Sequence, residues 1–78
     1  EVIDLKKEDQ LFEYVMMGLR LKEGINLESI YGKEVYIYYK EQIESLIQRN
    51  LLTIDNHFLK ATVKGFYILN DILIEFLD

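Results

Sequence analysis

Cysteine, proline and tryptophan are absent from this 78-residue chain, and histidine occurs once. Without cysteine there are no disulfides and no thiolate metal sites, and a single histidine builds a zinc or iron site only with carboxylates at ligand spacing. Without proline, no helix or strand is interrupted by a ring that lacks an amide donor. Cations are also in short supply. Nine Lys and Arg stand against fourteen Asp and Glu, giving a net charge of −5 and a pI near 4.8, the wrong sign for a surface that grips phosphates. No stretch approaches the roughly 20 consecutive apolar residues of a membrane span.

What the chain does have is apolar content. Half of its residues are hydrophobic, with six Tyr and four Phe. A domain of this length holds itself together on its core alone, and below about 80 residues such a core rarely supplies more than about 3–5 kcal/mol. The expectation is one domain over residues 1–78, acting in the cytoplasm. Because residue 1 is Glu, it is further expected to be a piece of a larger protein.

Apolar residues recur at helical spacing from about Lys7 to Arg20, at Leu11, Phe12, Val15, Met16 and Leu19, with acidic residues early and Arg20 late as the helix dipole favours. Gly24 suits the left-handed position after a helix, and Asn26 is expected to cap a short helix through Leu27, Ile30 and Tyr31 that ends at Gly32. A third helix is predicted from about Lys33 to Arg49, with Val35, Tyr39, Ile43, Leu46 and Ile47 inward and Asn50 as its stop. Leu51–Ile54 and Phe58–Ala61 read as a hairpin around Asp55-Asn56-His57. Thr62 then caps a last helix that begins Val63-Lys64-Gly65 and runs to about Leu77.

Three helices, a two-stranded wing and a C-terminal helix make a mainly α, winged-helix-like order. Such a fold invites a nucleic-acid reading in which the third helix enters a major groove. Its outward residues argue otherwise. Glu34, Glu41, Glu44 and Gln48 offset Lys33, Lys40 and Arg49, and the hairpin turn offers Asp55 and Asn56. Cation contacts to phosphates supply nearly all non-specific affinity, so no nucleic-acid partner is expected.

A set of positions carries a resemblance: Glu13-Tyr14, Met17-Gly18-Leu19-Arg20-Leu21, Gly24-Ile25-Asn26-Leu27, Tyr31-Gly32, Leu46, Asn50-Leu51-Leu52, Leu59, Thr62, Gly65 and Asn70. Together they resemble the C-terminal domain of the oxygen-independent coproporphyrinogen III oxidase-like radical SAM proteins, a group of anaerobic oxidases and related haem chaperones. The resemblance covers about Glu8 to Leu77, and Glu13 to Leu27 is its most specific block. Asn50 stands where the family usually has Gly, and Ala61 where a larger apolar residue is usual.

The resemblance implies a parent with a three-Cys [4Fe-4S] motif and an S-adenosylmethionine site in an N-terminal catalytic domain, acting in haem biosynthesis or, in the chaperones, binding haem. None of those cysteines is in this chain, so the domain is expected to be non-catalytic, to hold no cofactor or metal, and to dock on the catalytic domain. Glu13, Arg20, Gly24, Asn26, Thr62 and Gly65 are read as its structural motif.

The last helix is expected to turn Phe66, Leu69, Leu73, Phe76 and Leu77 to the core. That leaves Tyr67, Ile68, Ile72 and Ile74 on the rest of its cylinder, as Tyr36, Ile37 and Tyr38 are left on the third helix. A helix that is apolar nearly all round wants cover on more than one side. These seven residues form the expected docking surface.

His57 and the two methionines are candidate haem ligands, but His57 falls in a predicted turn where polar residues are ordinary, and Met16 lies on the core stripe. Arg20 is expected to satisfy helix-end carbonyls or to pair with Glu13, Glu23 or Glu28, with anion or propionate binding as the alternative. The alternative reading is a winged-helix module of a regulator that binds protein. An upstream Cys-x-x-x-Cys-x-x-Cys in the full gene product would favour the radical SAM parent.

Overall fold

The computed structural model describes residues 5–77. The first helix, α1 (Leu5–Arg20), is followed by a two-residue strand, β1 (Ile25–Asn26). Two consecutive helices come next, α2 (Ile30–Tyr38) and α3 (Lys40–Gln48), then the strands β2 (Leu52–Asp55) and β3 (Phe58–Ala61). The described chain closes with α4 (Val63–Tyr67) and α5 (Leu69–Phe76). The architecture is mainly α with a small antiparallel sheet, as the periodicities predict.

The core takes one stripe from each long element. Leu11, Val15 and Leu19 of α1 meet Val35 of α2, Ile43 and Leu46 of α3, and Ile72, Leu73 and Phe76 of α5, with Tyr39 buried at the α2–α3 junction. Spacings of three and four residues put each set on one helix face. Leu51, Leu52 and Leu59 close the end of this core from the sheet.

The sheet has three strands rather than the two expected, in the order β1-β3-β2. Ile25 pairs with Leu59 and Asn26 with Phe58 on one edge of β3, while Leu52 to Asp55 pair along the other edge. This overturns the expectation that Asn26 caps a helix. Sheet pairing draws Ile25 and Asn26 into extended backbone, and the Asn26 side chain instead accepts from the Glu28 amide at 2.9 Å. The cap is Ser29, whose Oγ accepts from the Gly32 amide at 3.0 Å. Gly32 therefore lies inside α2 instead of ending a short helix.

The third and the last helix of the sequence reading are each divided in two. Tyr39 (φ −108°, ψ 26°) separates α2 from α3, and Ile68 (φ −117°, ψ 34°) separates α4 from α5. At Ile68 the amide bonds back three residues to the Gly65 carbonyl, a tightened turn that resets the phase of the helix after it. Leu69, Ile72, Leu73 and Phe76 then share the inward face of α5. Phe66 and Leu77, expected inside, are exposed.

The turns follow their residue chemistry. Gly24 has φ +86°, and Asn50, the expected helix stop, has φ +64°. Asn56 and His57, with φ +54° and +57°, form a two-residue hairpin turn of the type that needs two left-handed residues. Thr62 caps α4 as expected, its Oγ1 accepting from the Gly65 amide at 3.0 Å.

Candidate docking surface

Among the described residues, no group of three or more His, Cys, Asp or Glu side chains is placed to hold a metal ion. The surface features are hollows instead. A mainly apolar one of about 570 Å³ lies between the end of α1 and α4, lined by Leu21, Val63, Phe66 and Tyr67 with Arg20 and Lys22 beside them. Its apolar walls are unusually open to water: Tyr67 is 85% exposed, Val63 78%, Leu21 57% and Phe66 56%.

Five of the seven residues of the expected docking surface are exposed, three of them on or between the last two helices and two at the end of α2. Tyr67 is in the hollow just described, and Ile68 and Ile74 are exposed on the flanking chain. Ile37 is exposed near the C-terminal end of α2. Tyr38, also exposed, lines a second hollow of about 450 Å³ with Glu8, Phe12, Tyr39, Phe76 and Leu77. Tyr36 is half-buried against the core.

Ile72 is not a surface residue. It is 0% exposed, because the break at Ile68 turns it inward. The reading from periodicity missed the exposed Phe66, Val63 and Leu21. A single unbroken helix had assigned Phe66 to the core, and Leu21 lies beyond the last turn of α1.

The second hollow holds two tyrosines whose acid–base behaviour is perturbed, Tyr38 and Tyr39. The Tyr38 hydroxyl donates to the Glu8 carboxylate, and this hydrogen bond, with partial desolvation and the Glu8 charge, pushes the Tyr38 phenol up to about 12. Burial, then the Glu8 charge, also pushes Tyr39 upward. A phenol whose pKa is raised in the folded state favours folding fully below its unfolded value near pH 10, and that contribution is lost as pH rises through about 12. Tyr38→Phe should therefore lower the urea midpoint at pH 8, and the gap from wild type should close between pH 10 and 12. A gap that stays constant through this window would show that the phenol–carboxylate contact does not contribute.

The remaining candidates are placed as follows. His57 is exposed in the hairpin turn, its Nδ1 3.7 Å from Glu28 Oε2, and its carbonyl accepts from the Leu27 amide at 2.9 Å. Met16 packs against the core, whereas Met17 is exposed beside Glu13, Tyr14 and Tyr31 in a hollow of about 300 Å³. Arg20 makes none of the expected pairs with Glu13, Glu23 or Glu28. Its exposed side chain has no hydrogen bond or ion pair among the described residues and borders the large hollow instead.

Comparison with known proteins decides the family. The HemN C-terminal domain family matches residues 5–68. The chain belongs to that family. The heme chaperone HemW of Lactococcus lactis subsp. lactis (strain IL1403) is 36% identical to it over 76 residues, covering 94% of this chain and 20% of that protein. The chain thus spans about one fifth of the length of the curated relative it matches. No solved structure matches. The HemN C-terminal domain match runs from α1 to the break at Ile68, and so includes the large hollow and both capping residues, Ser29 and Thr62. This is a domain of a haem-related radical SAM family, as the residues from Glu13 to Leu27 had indicated.

Proposed function

We propose that this chain is a non-catalytic C-terminal accessory domain that docks on the N-terminal radical SAM domain of the same polypeptide, in a protein that delivers haem. The observation that carries this reading is the hollow of Leu21, Val63, Phe66 and Tyr67, open apolar surface inside the segment shared with the family. A cluster of apolar side chains rimmed by polar ones marks an interaction site. Similarity to a protein named heme chaperone favours haem delivery over coproporphyrinogen oxidation. The family match favours this reading over an interaction module of a regulator.

A radical SAM parent brings S-adenosylmethionine and a [4Fe-4S] cluster. The residues here do not fit that cluster, since the chain has no cysteine to supply thiolates. Those groups belong to the upstream domain, and the cytoplasm is the expected compartment.

In the full-length protein, Phe66→Ser/Tyr67→Ser should leave the melting of this domain almost unchanged, because both side chains are exposed. It should weaken docking by about 2 kcal/mol or more if these aromatics anchor the interface, seen as faster proteolysis at the domain junction. Proteolysis at the wild-type rate in a folded variant would refute docking through this hollow.

A further inference from the structure

The large hollow has a charge pattern as well as apolar walls. Arg20 and Lys22 are the charged residues that line it, and no carboxylate does. Lys64 follows Val63 on α4. None of these three cations forms an ion pair among the described residues; Lys33 and Lys40 form none either, but neither of them lines the hollow. Lys7, Arg49 and Lys60, by contrast, each face a carboxylate, on Glu34, Glu75 and Asp55. The acidic residue nearest in sequence, Glu23, follows Lys22 in the turn and does not line the hollow.

Unpaired cations beside exposed aromatic and aliphatic groups are complementary to a segment that presents apolar side chains flanked by carboxylates. An acidic domain that keeps its carboxylates away from this hollow repels such a segment elsewhere on its surface and accepts it here. Resting on the docking reading above, we propose that the occupant is an amphipathic, acidic segment of the upstream radical SAM domain. Its apolar side chains seat between Leu21, Val63, Phe66 and Tyr67, and its carboxylates face Arg20 and Lys22. The volume, about 570 Å³, also lies within the roughly 300–1,000 Å³ of small-ligand pockets. A carboxylate-bearing tetrapyrrole is therefore the competing occupant that the test must separate.

The test is hydrogen–deuterium exchange of the full-length protein at low and high salt, beside absorbance titration with haem. Arg20→Glu/Lys22→Glu should speed exchange of the amides of residues 17–27 and 62–68 about tenfold. The charge-keeping variant Arg20→Lys/Lys22→Arg should stay near wild type. High salt should speed wild-type exchange and leave the reversal variant unaffected, since screening acts only on the charged contact.

Wild-type exchange in the reversal variant, with faster exchange in Phe66→Ser/Tyr67→Ser, would keep docking and overturn the acidic partner. Unchanged exchange in both variants would overturn both readings. Loss of the haem absorbance change in the reversal variant, with exchange unchanged, would assign the hollow to the tetrapyrrole and overturn the segment.

Discussion

Gly65→Ala should abolish the cooperative thermal transition of this domain. A methyl group at Gly65 would lie 1.9 Å from the Leu51 carbonyl oxygen, 2.8 Å from its carbon and 3.2 Å from its Cα, all of them backbone atoms. No side-chain rotation relieves such a contact. The Leu51 carbonyl already accepts from the Thr62 amide at 3.1 Å and faces the Thr62 hydroxyl at 3.3 Å, while that hydroxyl accepts from the Gly65 amide. Moving the carbonyl away therefore breaks the junction that joins the end of β3 to α4. Overpacking a tight site costs about 1–3 kcal/mol and sometimes more. Here the loss of the capping arrangement adds roughly 1 kcal/mol. The sum is comparable to the about 3–5 kcal/mol that holds a domain of this size together. Far-UV circular dichroism against temperature measures it, and a sharp transition within a few degrees of wild type would show that the Leu51 backbone yields freely.

The same unit occurs a second time. Ser29 donates to the Asn26 carbonyl at 2.7 Å and caps the amide of Gly32, and a methyl on Gly32 would lie 1.9 Å from that carbonyl. In both places a hydroxyl residue three positions before a glycine joins a strand end to a helix start. At each, the absent side chain lets the helix lie on a backbone carbonyl, that of Asn26 at Gly32 and that of Leu51 at Gly65. In a chain without cysteine for disulfides, these two contacts help fix the angles between helices and sheet.

The sequence shows one of these units and hides the other, for a physical reason. Thr62 follows a predicted strand and precedes an apolar helix, so local pattern suffices to identify it. Ser29 was overlooked because β1 has only two residues and exists through its pairing with Leu59 and Phe58, more than thirty positions away. Strand pairing across such a distance leaves no periodicity in so short a segment. Asn26, a good cap by type, was assigned the role that Ser29 performs. The long elements were legible: α1 keeps its stripe of Leu11, Val15 and Leu19 buried, and Asn50 stops α3 with a positive φ.

Exposed apolar surface is legible in kind and less so in membership. Surplus apolar residues on the last helices do mark exposed surface, since Tyr67, Ile68 and Ile74 all face water. The hollow beside α4, though, is built from Leu21 and Val63 as well, brought together by the fold from residues more than forty positions apart. Arg20 shows the same limit. Its position at a helix end suggests local carbonyls and nearby carboxylates, but the approach of α4 gives it an apolar hollow as its neighbour.

Ile72 and Ile74 offer the sharpest separation between core and surface, because two residues of one type lie one position apart on either side of Leu73. Ile72 is fully buried and packs in the central cluster; Ile74 is 58% exposed. Ile72→Asp should unfold the domain. It would remove a branched apolar side chain, a loss of about 2–5 kcal/mol on truncation alone, and would put a carboxylate where, among the described residues, no polar or charged side chain is buried to meet it. An unpaired buried charge adds several kcal/mol more, so the total exceeds the about 3–5 kcal/mol available. Ile74→Asp should change stability by about 0.5 kcal/mol or less, since its side chain already faces water. Urea unfolding of the two variants decides the matter. Equally small effects from the two variants would mean that α5 continues α4 without the break at Ile68, which leaves both side chains off the core face. A folded Ile72→Asp beside an unfolded Ile74→Asp would restore Ile72 to the docking surface where periodicity alone had placed it.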